Sequence, residues 1–186
     1  KVIILVRKRT ELNHLKLEER IIDFDNIDPD LINGNDLFCS IGTTLKKAGS
    51  KENQYKIDCE YPFKVAQIAK QNNVEQFILV SSIGADVHSN NFYLRTKGEL
   101  EEKISTLNFK AFIILRPSFI LGARQEFRLG EKIGIVFAIV FGPLLMGKLK
   151  KYRGVNAITI AKKMIKLANE NLIGKVIVES DKINLK

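Results

Sequence analysis

The chain has 186 residues, enough for a single domain with its own hydrophobic core. Hydrophobic residues make up 45% of it and charged residues 27%, which excludes fibrous and disordered proteins. The formal net charge is +9, and the lysines are spread along the whole chain. Aromatic residues do not alternate with them as base stacking on a single strand would require, so we expect no nucleic-acid partner.

Cysteine and histidine are scarce. Cys39 and Cys59 are too few for a disulfide framework, so we expect reduced, buried thiols in a cytoplasmic protein. His14 and His88 lie in no cluster with metal-ligand spacing, so we expect no metal site. The sequence opens on an apolar, strand-like run, which predicts no signal peptide.

Short apolar, β-branched runs alternate with segments of helical spacing along the chain. Such runs suit the buried strands of a parallel sheet, and the helical segments suit the crossovers between them. The predicted strands are residues 2–6, 21–24, 36–40, 76–80, 112–115 and 176–178. The predicted helices are 61–71, with Phe63, Ala66 and Ala69 inward, 93–107, and 158–168, with Ile160, Ala161, Met164, Ile165 and Leu167 as its apolar side chains. We therefore expect an α/β fold with a doubly wound parallel sheet, in one domain over 1–186.

The longest uncharged run, residues 133–147, lies in the C-terminal part of the chain, which we expect to face substrate or a partner from about residue 123. It is shorter than the roughly 20 residues that span a bilayer, and Gly142-Pro143 interrupts it. We expect a buried helix followed by a turn, with a dimer or membrane-surface patch as the alternative. The basic cluster 148–153 beside it is then a solvated turn.

One predicted helix carries Tyr93 and, four residues later, Lys97. Residues four apart on a helix share a face, so the phenol and the ammonium can approach one substrate. A tyrosine hydroxyl has an ordinary pKa of about 10, and a nearby positive charge favours the phenolate and eases proton transfer. The spacing alone is also compatible with a surface contact.

Two serines, Ser81 and Ser82, end the strand that precedes this helix, and Ser82 lies eleven residues before Tyr93. Open α/β sheets bind their ligands at this carboxyl edge. A serine hydroxyl there can hydrogen-bond the substrate oxygen that the tyrosine protonates. An ordinary polar strand end is the alternative interpretation.

Four segments in order resemble one family: DLFCSIGTTLKKAGS, VSSIGAD, NFYLRTKGELE and LRPSFILGARQEFRLGE. They are similar to the extended and atypical short-chain dehydrogenase/reductases, most of all to the Tat-interacting-protein-like subgroup, from the first strand to about Gly134. The resemblance implies a Rossmann-like domain and an NAD(P)-dependent oxidoreductase or epimerase-like enzyme acting on a small carbonyl or hydroxyl substrate. The alternative it implies is an NADPH-sensing regulatory protein with little turnover, with a protein partner or a second copy.

The resemblance also implies roles for individual residues. Tyr93 would be the general acid or base, and Lys97 would favour its phenolate form and bind the nicotinamide ribose. Ser82, or else Ser81, would orient the substrate carbonyl. Further cofactor contacts would come from Asp23 and Phe24 beside the adenine, from Cys39, Ser40, Ile41 and Gly42 beside the adenine ribose and pyrophosphate, and from Pro117, Ser118, Phe119 and Ile120 against the nicotinamide.

Basic residues follow the first predicted strand at the position that distinguishes the two nicotinamide cofactors. An acid there would bind the ribose 2′-hydroxyl of NAD, whereas arginine accommodates the 2′-phosphate of NADP. Arg7, Lys8 and Arg9 occupy this turn, and no acid occurs before Glu11. We therefore expect NADP rather than NAD, with a solvated basic turn as the alternative.

Two further arginines, Arg124 and Arg128, lie in the last of the resembling segments. They would face a substrate anion or the cofactor pyrophosphate. Alternatively, they would pair with Glu126 and Glu131 at a loop surface, and the sequence leaves both possibilities open.

A glycine-rich phosphate loop normally follows the first strand of a dinucleotide site. Here the first predicted strand resembles the second strand of the family, so we expect a further strand and the glycine loop before Lys1. In the order 3-2-1-4-5-6 that strand is central. The strand at 2–6 should therefore not be hydrogen-bonded directly to the strand that ends near Ser40.

Overall fold

A computed structural model describes residues 1–121 and 152–184, in which strands alternate with helices. The strands are β1 (Val2–Val6), β2 (Leu17–Ile21), β3 (Asp36–Cys39), β4 (Gln76–Val80), β5 (Ala111–Arg116), β6 (Ile120–Leu121), β7 (Val155–Asn156) and β8 (Gly174–Glu179). The helices are α1 (Leu45–Ala48), α2 (Lys51–Tyr55), α3 (Tyr61–Gln71), α4 (Phe92–Ser105), α5 (Ala157–Ala168) and α6 (Ser180–Ile183). A 3-10 turn covers Pro29–Leu31, and a π-helical turn, Lys56–Glu60, joins α2 to α3.

Every strand pairing in the described part of the chain is parallel. The main sheet has the order β3-β4-β5-β8, while β1 pairs with β2 and β6 pairs with β7. β1 and β3 therefore belong to different sheets and are not hydrogen-bonded to each other, as the strand order predicts. The α/β class with parallel sheets is confirmed.

Both faces of the main sheet are covered. One face packs Phe77, Leu79 and Ile114 against the side of α3 and α4, and the other packs Ile78 and Ile113 against the side of α5. Successive strand residues point to opposite faces, so a strand buried on both sides must be apolar throughout. This explains the continuous apolar run of β5.

The second strand was predicted in the wrong place. The sequence indicated residues 21–24, but β2 occupies Leu17–Ile21 and runs parallel to β1 with Val2 opposite Leu17. Its polar side chains are accommodated at the edge of this small sheet, where Glu18 pairs with Arg20 at 2.6 Å. The prediction failed because it looked for an apolar strand, whereas a strand at the edge of a sheet can carry charged side chains.

The predicted helices agree best with the structure where the helix carries a long apolar stripe. α3 coincides with the predicted segment 61–71, and its Ala66 and Ala69 are fully buried. In α5, by contrast, Ile165 is 58% exposed and Ala161 also faces solvent. The short, lysine-rich α1 and α2 were not predicted, because neither carries enough apolar residues to show a period.

Predictions for 133–147 and for 148–151 lie outside the described residues. Among the helices that are described, none is both long enough and apolar enough to cross a bilayer.

Candidate functional site

The carboxyl ends of the parallel strands meet at one edge of the main sheet. β3 ends at Cys39 and β4 at Val80, and the loops that follow carry several of the predicted site residues. The Ile83 N–H donates to the Pro117 carbonyl at 3.0 Å, which joins the loops after β4 and β5. Helix α4 begins beside them, where the Asn91 side chain accepts from the Leu94 N–H at 3.2 Å.

Gly98 lets α4 lie directly against the loop after β4. A Cβ on this glycine would lie 2.4 Å from the Asp86 carbonyl carbon and 2.5 Å from the Val87 nitrogen, both backbone atoms. No larger residue fits without moving the helix or the loop. The contact therefore fixes the position of α4, and with it the residues one turn earlier.

Tyr93 and Lys97 lie on the face of α4 at this edge. Tyr93 is 36% exposed, whereas Lys97 is only 4% exposed. The Lys97 Nζ lies 5.8 Å from the centroid of the Tyr93 ring, within the range of a cation–π contact. The structure thus places a buried positive charge beside an accessible phenol.

Asp58, which the sequence did not single out, brings a negative charge to the same place. Its side chain is fully buried on the π-helical turn, and its Oδ1 accepts from the Thr43 N–H at 2.5 Å. A Cβ on Gly42 would lie 3.4 Å from the Asp58 Oδ1 and 3.5 Å from the Lys97 Nζ. The exposed backbone of Gly42 is therefore flanked by one anionic and one cationic group.

The electrostatics of Asp58 reflect this burial. Loss of water raises the pKa of its carboxyl, and the positive charge of Lys97, the Thr43 N–H and the Gln54 side chain oppose that rise only in part. Its second oxygen, Oδ2, is buried without a hydrogen-bond partner among the described residues. An anion this deep with incomplete pairing is costly, which is typical of a functional site.

The two predicted serines have different surroundings. The Ser81 Oγ donates to Glu101 Oε1 at 2.5 Å in the interior, and Arg116 donates to the same carboxylate at 3.1 and 2.6 Å. Ser82 is half-buried at the edge, where its Oγ donates to the Ile83 carbonyl at 3.3 Å. The Ser81 hydroxyl is thus bound within a buried ion-pair network, and the Ser82 hydroxyl lies closer to solvent.

The residues predicted beside the adenine and its ribose lie on two segments. Phe24 stacks on Tyr61 with ring centroids 5.3 Å apart, and the exposed Asp23 accepts from the Asp25 N–H at 3.0 Å. After β3, Ser40 is exposed and Ile41 is half-buried against the core. Cys39 is buried as well, and burial raises the pKa of its thiol.

The loop predicted to lie against the nicotinamide is held by the C-terminal part of the chain. The Ser118 N–H donates to the Ser180 Oγ at 3.1 Å, and the Ser118 Oγ donates to the Arg153 carbonyl. The Phe119 carbonyl accepts from the Val155 N–H at 2.8 Å, while its ring is 56% exposed. Buried Pro117 and half-buried Ile120 complete this loop.

The remaining predicted residues are at the periphery or outside the described residues. Arg7 and Lys8 are exposed where β1 ends, and Arg124 and Arg128 fall in the undescribed segment. Within 1–121 and 152–184 no group of three acidic, histidine or cysteine side chains is arranged to hold a metal ion.

Asp58 and Gly98 are the site residues that sequence reasoning missed. The sequence does contain a signal for Asp58. If the helical period of α3 is extended towards the amino terminus, Gln54 and Asp58 lie four residues apart on the side of the helix that faces the core. Two polar residues on an otherwise apolar stripe are unusual. Gly98 gave no comparable signal, because its role depends on a loop distant in sequence.

Comparison with known proteins relates the chain to one family. A family model described as HIM1 matches residues 4–136. "Protein fmp52, mitochondrial" of Emericella nidulans is 38% identical over 144 residues, which cover 77% of this chain and 61% of that protein. "Protein HTATIP2" of Rattus norvegicus is 35% identical over 152 residues, covering 80% of this chain and 61% of that protein. The chain thus spans about three-fifths of the length of these curated relatives.

The expected cytoplasmic location is wrong by this comparison. Fungal relatives that are 38% to 48% identical, from Emericella nidulans and Candida glabrata, are named mitochondrial. The expectation rested on two cysteines that form no disulfide framework, and that property does not choose between compartments.

Solved structures share the fold at low identity. MoeE5 in complex with UDP-glucose and NAD has a TM-score of 0.68 at 11% identity, covering 97% of this chain and 70% of that chain. The Bordetella bronchiseptica enzyme WbmH in complex with NAD+ has a TM-score of 0.66 at 16% identity, covering 97% and 67%. Together with the relatives, they confirm the resemblance to atypical short-chain dehydrogenase/reductases with a Rossmann-like fold.

Proposed function

The chain belongs to the HIM1 family, and we propose that it forms part of an NADP-dependent oxidoreductase or epimerase-like enzyme with Tyr93 and Lys97 at the reacting centre. The observation that carries the proposal is the nearly buried Lys97 ammonium, 5.8 Å from the ring of the accessible Tyr93 at the carboxyl edge of a parallel sheet. Burying a cation is costly, so a fold retains one where its charge acts on something.

The residues at this edge fit a nicotinamide cofactor. Gly42 carries no side chain between Asp58 and Lys97, so a sugar can approach its backbone closely. The exposed Phe119 ring offers an apolar surface near the loop after β5. When bound, the cofactor supplies or takes up a hydride.

Each polar residue has one task in the proposed reaction. The Tyr93 hydroxyl passes its proton to the substrate oxygen, or takes it back in the reverse direction. The Lys97 charge favours the phenolate that this leaves. The Ser82 hydroxyl donates a hydrogen bond to the same oxygen and orients a small carbonyl or hydroxyl substrate.

The preference for NADP rests on Arg7 and Lys8, which are exposed at the end of β1. A 2′-phosphate carries charge that arginine binds in a bidentate manner. Replacing Arg7 with Ala should weaken NADPH binding about tenfold and leave NADH binding within twofold. Equal weakening of both cofactors would overturn the preference. Lys16→Ala is the control, because it removes an exposed charge at the opposite end of the sheet of β1 and β2.

Tyr93→Phe tests the enzyme hypothesis. NADPH consumption is measured with a panel of carbonyl substrates, and the variant should lose at least about 100-fold of the rate because the proton donor is gone. Its NADPH dissociation constant should stay within threefold of the unmodified value. Tyr55→Phe is the matched control, because it removes a phenol hydroxyl on the other side of α4.

Two outcomes contradict the proposal in different ways. Unchanged consumption in Tyr93→Phe would remove Tyr93 from the reaction. If NADPH does not bind to the full-length protein in a titration, the nicotinamide site itself is refuted.

An NADPH-sensing regulatory protein is the second candidate. Hydrogen bonds from Ser118 to Ser180 and Arg153 favour it, because they join the loop after β5 to the C-terminal part of the chain. A ligand that binds against this loop would therefore change the position of residues in the C-terminal part. Cofactor-dependent capture of a protein partner, with no consumption across the substrate panel, would support it. Sustained consumption would reject it in favour of the enzyme.

We also propose a mitochondrial location, supported by the names of the fungal relatives. The full-length protein should cofractionate with mitochondria after cell lysis. A purely cytosolic distribution would overturn this.

A further inference from the structure

We propose that β8 is an interface strand, which pairs antiparallel with the β8 of a second copy of this chain so that the main sheet continues from one copy into the other. In the part of the chain that the structure describes, β8 (Gly174–Glu179) is the last strand of that sheet and pairs with β5 on one side. It takes no part in the reaction proposed above, so a dimer through β8 stands or falls independently of that reaction.

The outer edge of β8 presents backbone groups that can pair with another strand. The Gly174 N–H donates to the Lys110 carbonyl at 2.8 Å, so the backbone groups of Gly174 point towards β5. Backbone groups alternate in direction along a strand, and those of Lys175, Ile177 and Glu179 therefore point to the outer edge. The six residues of β8 include no proline, so each keeps the N–H that a strand pairing requires.

The two faces of β8 carry different side chains. Val178 is buried in the core on the α5 side of the sheet, and Val176 packs against that core. Successive side chains point to opposite faces, so Lys175, Ile177 and Glu179 share the other face. Ile177 is 39% exposed there. An edge strand with an exposed apolar residue at its middle is a template for pairing with another strand.

One antiparallel register makes β8 complementary to itself. With Ile177 opposite the Ile177 of the second copy, Lys175 lies opposite Glu179 at both ends of the strand pair, and Val176 lies opposite Val178 on the other face. Opposite charges directly across an antiparallel pair are favourable, and like charges are unfavourable. A shift of two residues in either direction would separate both charge pairs. Charge complementarity therefore selects a symmetric pair of identical strands.

The backbone and the Glu179 carboxylate suit the same register. In an antiparallel pair, residues that exchange both of their backbone hydrogen bonds lie directly opposite each other. The three residues with outward backbone groups would do this, Lys175 with Glu179 and Ile177 with its copy. The Glu179 side chain is 38% exposed, and its described ion pair joins Oε1 to Arg116 at 3.4 Å. Its Oε2 can thus accept from the lysine of the second copy.

The length of β8 sets the strength of this dimer. Six residues span roughly 20 Å, and a stable dimer buries at least about 1,200 Å². One strand pair buries less, so we expect a dissociation constant in the micromolar rather than the nanomolar range. Sedimentation velocity on the full chain, from about 2 to about 200 μM, should show the mean mass rise towards that of a dimer. A monomer across this whole range would overturn the proposal.

Lys175→Glu and Glu179→Lys test the charge pairs. Each variant alone places like charges opposite each other at both ends and should weaken dimerisation at least about tenfold. Mixed in equal amounts, the two variants form a heterodimer with both opposite-charge pairs restored, so dimerisation should return to within about threefold of the unmodified value. Lys16→Glu is the matched control, because it makes the same charge change at an exposed lysine just before β2. Undiminished dimerisation in both single variants, or no recovery in the mixture, would overturn the proposal.

A cysteine at Ile177 tests which residues face each other. Directly opposed residues of this kind have Cα atoms about 5.5 Å apart, within the range of a disulfide. Because Cys39 and Cys59 are buried, Ile177→Cys should give a disulfide-linked dimer on mild oxidation with copper phenanthroline. Ile173→Cys is the control, since Ile173 is 79% exposed but would lie more than about 20 Å from its copy. Equally fast linking of both variants, or none with Ile177→Cys, would overturn the proposal.

Discussion

Helix α4 carries two buried charges one turn apart, Lys97 and Glu101, and their surroundings differ. Both oxygens of Glu101 are paired, with Ser81 and with two nitrogens of Arg116. Lys97 instead lies with Asp58 beside Gly42, and the Asp58 Oδ2 has no hydrogen-bond partner among the described residues. The complete network joins β4, α4 and β5, whereas the incomplete one borders the exposed backbone of Gly42. The paired charge is explained by the architecture, whereas a buried oxygen without a partner needs another explanation, which the site proposed above would supply.

Arg116→Ala should have the largest effect, since it breaks the complete network. Glu101 would stay buried without its cation, and breaking such a pair costs about 3–5 kcal/mol. The Arg116 side chain is 20% exposed, so we expect about 3 kcal/mol in the free energy of unfolding from urea titration. A loss below about 1 kcal/mol would show that the network does not hold the fold together.

Gly98→Ala should have the next largest effect. Its Cβ would overlap the backbone at Asp86 and Val87, and overpacking of this kind costs about 1–3 kcal/mol. Gly42→Ala is the matched control, because its Cβ would meet Asp58 and Lys97 only at ordinary contact distances. Thermal unfolding should show a clear loss for Gly98→Ala and almost none for Gly42→Ala. Similar losses for both would contradict the distinction between a packing glycine and a site glycine.

Asp58→Asn should leave the free energy of unfolding unchanged or increase it. Burial raises the pKa of Asp58 in the folded state above its unfolded value, so the folded protein binds this proton more tightly. The unmodified protein therefore loses stability as pH rises from the unfolded value through the raised one, and the variant does not. Urea titrations across this range should show the difference growing in favour of the variant.

Asp58→Ala is the control for that measurement. It removes the acceptor of the Thr43 N–H and should cost about 1–3 kcal/mol at neutral pH. If Asp58→Asn were as destabilising as Asp58→Ala, the carboxylate would be part of the architecture, like Glu101.

Tyr55→Phe should have the smallest effect. It tests a third set of polar contacts of α4, which the Tyr55 hydroxyl makes. This hydroxyl donates to Glu99 at 2.8 Å and accepts from Lys103 at 3.0 Å, and burial raises its pKa to about 12. The last step of an alkaline absorbance titration should be absent in Tyr55→Phe. Any stability that these bonds provide should be present below about pH 10 and lost as pH rises towards 12. A titration identical in both proteins would contradict the assignment.

Local patterns predicted the elements in which the hydrophobic period is long or the strand is buried on both faces. α3 and β4 coincide with their predicted segments, because a continuous apolar run or stripe reflects burial on the sheet. β2 was misplaced because its charged residues are tolerated at a sheet edge. The π-helical turn was missed since nothing in the sequence marks a widened helical turn.

The sequence by itself determined the α/β alternation, the spacing of Tyr93 and Lys97 on one helix face, and the family resemblance. These depend on residues close together in the chain, or on their order, so they can be inferred without coordinates. Only the tertiary structure decided that Ser81 joins an ion-pair network and that Asp58 and Lys97, thirty-nine residues apart, both lie beside Gly42. Such contacts arise where three elements pack together, and no local period in the sequence encodes which distant side chains then face each other.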